Sequence, residues 1–123
     1  MMKIQSFKDP GTWKEGHKLV LMVYKITRTF PKDELFALTN QMIRAVVSVT
    51  SNIAEGFGRS SYKDKNHFYQ MALGSIIEIQ NQLMIAKDVQ YIGASDFEKI
   101  NDQAVKVEFI CKGLIRKSKT FYS

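Results

Sequence analysis

Apolar residues in this chain recur at intervals of three and four over long stretches, the spacing of one face of a helix. Trp13, His17, Val20, Tyr24 and Thr27 form the first such line, widened by Leu21, Val23 and Phe30. They predict a helix over about residues 12–30. "TWKE" supplies a capping box, with Thr12 accepting from the backbone and Glu15 reaching back, and Pro31 drives Phe30 out of the helical region. Leu35, Leu38, Met42, Ala45, Val49 and Ile53 predict a second helix over about 33–55, roughly 35 Å long. Asp33 and Glu34 suit its positive N-terminal end. A third helix is predicted over about 61–90, capped by "SYKD". The fourth, over about 95–118, opens with "SDFE" and carries Phe97, Ile100, Ala104, Val107, Cys111 and Leu114. Between them Gly93 is expected as a left-handed C-cap and Ser95 as the next N-cap, and the basic tail "RKSKTFYS" is expected to fray.

No alternating strand pattern, internal repeat or low-complexity tract interrupts this series, and no proline follows Pro31. Short connections between four helices imply an all-α, antiparallel up-down-up-down four-helix bundle, one domain over residues 1–123. "SNIAEGFGRSS" invites comparison with phosphate-cradling loops. It follows a helix rather than a strand, holds only G-x-G and lacks the Walker lysine. It reads as a hinge, with Gly56 expected in a left-handed turn conformation and Arg59 beside the positive start of the next helix.

Composition narrows the function classes. Apolar residues make up 45% and charged ones 24%, as in soluble globular domains. The lone Cys111 cannot form an intrachain disulfide, and "MMKIQSFKDPGTW" has no apolar signal core. No run of about 18 apolar residues occurs. Together these point to a cytoplasmic protein with no membrane partner. Eighteen Lys and Arg against twelve Asp and Glu give +6, so a polyanion, nucleic acid first, is the expected partner.

Catalytic chemistry is not expected. His17 and His67 lie on different predicted helices without metal-ligand spacing, so no metal or other cofactor is implied. His17 falls on the apolar line and reads as a hydrogen-bonded core residue. Cys111 continues an apolar line and reads as a buried, inert thiol. No nucleophile elbow or dinucleotide fingerprint is present.

Two patterns exceed what a solvated bundle needs. Residues 68–89 are more apolar than the about three in seven positions a core face requires, and Tyr69, Leu73, Ile77, Met84 and Ile85 carry the surplus. "KLVLMVYKI" in the first helix shows the same excess, and both imply self-association. Beside the apolar line of the second helix runs a polar one, Gln41, Arg44, Ser48, Asn52 and Glu55. Short hydrogen-bonding side chains of this kind can be buried when mutually satisfied. Pairing the second and third helices about the hinge brings Arg44 near Ser75 and Glu78, which predicts an Arg44–Glu78 ion pair, within one chain or across subunits.

Four motifs occur in order: "FP" at Phe30–Pro31 with Glu34, Q-x-x-R-A-x-x-S at Gln41–Ser48, N-I-A-E-G-x-x-R at Asn52–Arg59, and A-x-G-S-x-x-E at Ala72–Glu78. In these the chain resembles the small four-helix-bundle family described from 23S rRNA intervening sequences, to which accessory proteins of diversity-generating retroelements are similar. The approach to the first helix, "FKDPGTWKEGHKL", departs from the aspartate-leucine pattern of that family. The resemblance implies a homopentameric ring and brings no catalytic residues. Its retroelement branch implies binding to RNA and to a reverse transcriptase. The motif residues Gln41, Arg44, Ser48, Asn52, Glu55, Gly56 and Glu78 are then candidates for structural or oligomer roles.

The expected function is that of a non-enzymatic oligomeric scaffold binding nucleic acid, RNA foremost. The alternative is a protein-only adaptor for a larger enzyme such as a reverse transcriptase. The expected phosphate contacts are Arg59, Lys63 and Lys65 around the start of the third helix, and Lys112, Arg116, Lys117 and Lys119 in the C-terminal segment. Tyr62, Phe121 and Tyr122 are expected to offer stacking surfaces for unpaired bases.

Overall fold

The computed structural model describes Phe7 and residues 11–122. Four α-helices make up most of it: α1 (Gly11–Thr27), α2 (Asn40–Phe57), α3 (Tyr62–Asp88) and α4 (Ala94–Tyr122). Among the described residues there is no strand. Each helix packs on its neighbours in sequence and α4 closes against α1, so the four surround one core. Leu19 and Val23 of α1, Met42, Val49 and Ile53 of α2, Ile76 and Leu83 of α3, and Val107 of α4 meet there with no exposed surface to speak of. Val23, Met42, Val49, Ile53 and Val107 belong to the apolar lines read from the sequence; Leu19, Ile76 and Leu83 do not, and His17, Leu21 and Tyr24 of the first line are exposed. Along α2 and α3 the contacts run in opposite senses: Ser48 meets Ser75, Gly56 meets Tyr69, and Phe57 meets Lys65.

The second helix is shorter than its apolar line predicts. Lys32–Glu34 forms a single 3₁₀ turn and Leu35–Thr39 a wide turn in which Ala37 (φ −121°, ψ −108°) leaves the helical region. Leu35 and Phe36 therefore point to solvent, Phe36 with 90% of its surface exposed. Glu34 holds this segment: its carboxylate accepts from the Leu38 backbone N–H at 3.2 Å and from the Tyr91 hydroxyl at 3.1 Å. The Phe30 ring packs 5.4 Å from that of Tyr91. The "FP" motif and its glutamate thus anchor the α1–α2 corner to the end of α3.

Several helix ends differ from expectation. α1 begins before Thr12, and Glu15 faces α4 instead of reaching back, accepting from Gln103 Nε2 at 3.0 Å and pairing with Lys106 at 3.2 Å. The residues ahead of Gly11 that carry the family departure, 8–10, lie outside the described residues, as do Met1–Ser6 of the leader reading. His17 is exposed and stacks on Trp13, ring centres 4.7 Å apart, rather than entering the core. Neither Gly56 nor Gly93 has positive φ. The left-handed residue after α3 is Gln90 (φ 67°), in a Schellman arrangement where Tyr91 N–H reaches Ala86 O at 2.8 Å and Gln90 N–H reaches Lys87 O at 3.0 Å. Ser95 lies inside α4, and the tail expected to fray continues α4 to Tyr122. Ser61 does cap α3, its hydroxyl accepting from Asp64 N–H at 3.1 Å.

Candidate nucleic-acid interface

The hinge between α2 and α3 is built around a buried lysine. Lys65 Nζ donates to the Phe57 carbonyl at 2.9 Å and the Gly56 carbonyl at 3.2 Å, and lies 5.7 Å from the centre of the Phe57 ring. The last carbonyls of a helix have no partners within it and carry its negative end, so an ammonium there satisfies both charge and hydrogen bonding. Burial lowers the pKa of Lys65. Only 4% of the residue is exposed, so it is corrected from a phosphate contact to a structural cap.

Arg59 leaves the hinge on the outer side. Its guanidinium donates to Glu55 Oε2 at 2.9 Å and its Cζ lies 4.6 Å above the Phe68 ring. A cleft of about 510 Å³ opens here, lined by Ser51, Ala54, Glu55, Gly58 and Arg59. Phe68 was not among the sequence-derived site residues. The signal lies nine residues on, across a turn whose geometry had first to be known.

The remaining basic candidates are exposed: Lys63 in the first turn of α3, and Lys112, Arg116, Lys117 and Lys119 along the end of α4. Lys112 is held by Glu108 at 2.8 Å, and Glu108 also accepts from Gln80 at 2.9 Å. The Lys112 bond first, then the Gln80 bond, keeps the Glu108 carboxyl below the usual carboxylate range. Cys111, one residue back, is buried against the Tyr69 carbonyl, and burial pushes its thiol up to about 12. Phe121 is exposed, Tyr62 is half-buried, and the Tyr122 side chain lies outside what the structure describes.

Charge is distributed unevenly along the bundle. The segments gathered around the hinge (11–18, 47–75 and 108–122) hold nine Lys and Arg against four Asp and Glu. The segments toward the other end (19–46 and 76–107) hold seven of each. The net positive charge of the described helices therefore sits at the hinge end. The opposite end presents an apolar cleft of about 400 Å³, with Tyr24, Phe30, Pro31, Leu35 and Ile43 in its walls.

The polar line of α2 divides between seam and surface. Asn52 is buried and donates to Ser48 O and Oγ, both at 2.9 Å, and Ser48 Oγ meets Ser75 Oγ at 2.9 Å across the α2–α3 seam. Gln41 and Arg44 are exposed and share a second cleft, about 520 Å³, with Ser75 and Glu78. The expected Arg44–Glu78 ion pair does not form within the chain, whereas Arg59–Glu55, Lys106–Glu15 and Lys112–Glu108 do. Glu78 instead accepts from Gln82 at 3.1 Å. Among the described residues no three His, Cys, Asp or Glu gather as metal ligands, and no helix is long and apolar enough to cross a membrane.

Comparison with known proteins agrees with this arrangement. A crystal structure of a protein with unknown function from the S23 ribosomal protein family of Bacteroides thetaiotaomicron superposes with a TM-score of 0.79. It does so at 18% identity, over 85% of this chain and 95% of that one, which establishes a shared fold. No curated protein matches. The sequence pattern of the 23S rRNA-intervening sequence proteins matches residues 8–113, spanning all four motifs and most of all four helices. The chain belongs to the 23S rRNA-intervening sequence protein family.

Proposed function

We propose that this protein is a non-enzymatic, oligomeric scaffold that binds nucleic acid, RNA foremost, through its hinge end. The observation that carries this reading is the polarity of charge: the basic excess gathers at one end, where phosphates would meet many cations at once. The chain assembles, in this reading, as antiparallel up-down-up-down bundles in a cytoplasmic homopentameric ring. Exposed apolar side chains on opposite faces support assembly, among them Leu21 on α1, Ile77 and Met84 on α3, and Phe109 on α4, 73% exposed. Five copies would carry about +30, giving individually weak phosphate contacts avidity. The phosphate contacts in this reading are Lys63, Lys112, Arg116, Lys117 and Lys119, with Arg59 beside them at the hinge.

A second reading, an adaptor for a larger enzyme such as a reverse transcriptase, is favoured by the other end. There Phe36 and Leu35 stand out beside the apolar cleft in a region of balanced charge, as protein contacts do. Binding of labelled structured RNA and duplex DNA across a salt series, with particle mass measured alongside, tests both. RNA binding with a steep salt dependence by an oligomer is expected. An intact oligomer that binds neither near physiological salt overturns the scaffold reading in favour of the adaptor, and a monomer mass at micromolar concentration overturns the assembly.

A further inference from the structure

The cluster of Glu55, Arg59 and Phe68 has a geometry that phosphate binding does not need. An arginine serving phosphates presents its fork to solvent, whereas Arg59 gives one nitrogen to Glu55 at 2.9 Å and lays its guanidinium over the Phe68 ring at 4.6 Å. These two contacts come from different sides of the hinge, one from α2 and one from α3, so together they fix the position of the group. His67 packs its ring edge-on beside Phe68, centres 5.1 Å apart, extending the aromatic surface. Yet the side chains of Arg59 and Glu55 remain 45% and 57% exposed. Both border the same cleft, whose lining includes the small residues Ala54 and Gly58.

We propose that this cleft receives an unpaired guanine of an RNA strand, an inference that rests on the nucleic-acid reading and gives it a base preference. The fixed guanidinium is a stacking platform for the base, as arginine planes and aromatic rings are for splayed-out bases in single-stranded RNA. Glu55 selects which base. Its carboxylate only accepts, and one contact with Arg59 leaves lone pairs on both oxygens. Guanine alone presents two adjacent donors on its Watson–Crick edge, N1–H and the 2-amino group. Adenine and cytosine set a ring acceptor beside their amino group, and uracil flanks its single N–H with carbonyls, so each places a lone pair against the carboxylate. Lys63 and the basic end of α4 supply the charge that brings the strand to the site.

The test uses the full-length protein and fluorescently labelled uridine-rich RNA 12-mers carrying one central guanosine, inosine or adenosine, titrated at fixed salt. The guanosine strand is expected to bind about tenfold tighter than the adenosine strand. Inosine, which keeps N1–H and lacks the 2-amino group, is expected between them. E55Q, which replaces one acceptor with a donor, is expected to reduce the guanosine-to-adenosine ratio to about one without changing the salt slope. F68L, which keeps an apolar side chain and removes the aromatic ring, is expected to weaken both strands. Equal affinity for the three strands overturns the guanine site while leaving the scaffold reading standing. A protein that binds none of the three strands, and neither structured RNA nor duplex DNA, overturns both.

Discussion

The ring of Tyr69 occupies the space that a side chain at Gly56 would need: a Cβ there would lie 2.5 Å from Tyr69 Cε1 and 2.8 Å from Cδ1. Tyr69 is 2% exposed and its backbone carbonyl accepts from the Cys111 thiol, so the ring has nowhere to retreat. Gly56→Ala is therefore expected to destabilise the fold by about 1–3 kcal/mol despite the better helix propensity of alanine. Urea denaturation measures it. Tyr69→Leu introduced with Gly56→Ala should cost less than the two single changes summed. Strict additivity would show that the two residues do not compete for one space.

The buried thiol of Cys111 gives stability a dependence on alkaline pH. Its pKa rises from an ordinary 9.0 to about 12 because the folded chain cannot solvate a thiolate there. Below pH 9 both folded and unfolded chains hold the proton, and the full stability is present. Between pH 9 and 12 only the unfolded chain releases it, so stability falls by at most about 1.4 kcal/mol per pH unit from this group. Cys111→Ala should be less stable at pH 7 but show a shallower decline above pH 9. Parallel declines in the two proteins would place the thiol in contact with water.

What the sequence made legible follows from the range of the interactions involved. The apolar lines of α2 and α4 name core residues correctly from Met42 to Ile53 and from Ile100 to Cys111, because burial and helical period are both local to the chain. The capping serine of α3, three residues before Asp64, is equally local. Failures occur where a distant partner decides. Glu15 has a capping position in sequence, but Gln103 and Lys106 claim its carboxylate. Leu35 continues the apolar line of α2, but Glu34 is engaged by Tyr91 and the chain turns before the helix begins. Lys65 counts as a surface cation until the carbonyls of Gly56 and Phe57 are seen to end beside it. Gly56 and Gly93 illustrate the limit of residue-type reasoning, since close packing on Tyr69 accounts for the first and Gln90 takes the conformation assigned to the second.

Gln90 holds a left-handed conformation (φ 67°) that glycine adopts without steric cost. Its side chain is exposed. Gln90→Gly is expected to stabilise the protein by about 0.5–1 kcal/mol, the Schellman bonds to Ala86 and Lys87 remaining in place. A raised thermal midpoint checks this. A lowered midpoint would mean that the glutamine side chain contributes more than the strain it bears.

The polarity of charge makes an end-specific prediction. Lys63→Gln, Arg116→Gln and Lys117→Gln together remove three exposed cations from the hinge end, and Lys25→Gln, Arg28→Gln and Lys32→Gln remove three exposed cations from the other. Both triple variants lower the net charge equally, so an effect of overall charge on RNA affinity would be the same in each. If phosphates meet the hinge end, the first variant alone should lose affinity, with a salt slope reduced by about one for each contact removed. The second should retain the parent slope. Equal losses would show that RNA responds only to the summed charge of the particle, and a loss confined to the second would move the interface to the end where Phe36 is exposed.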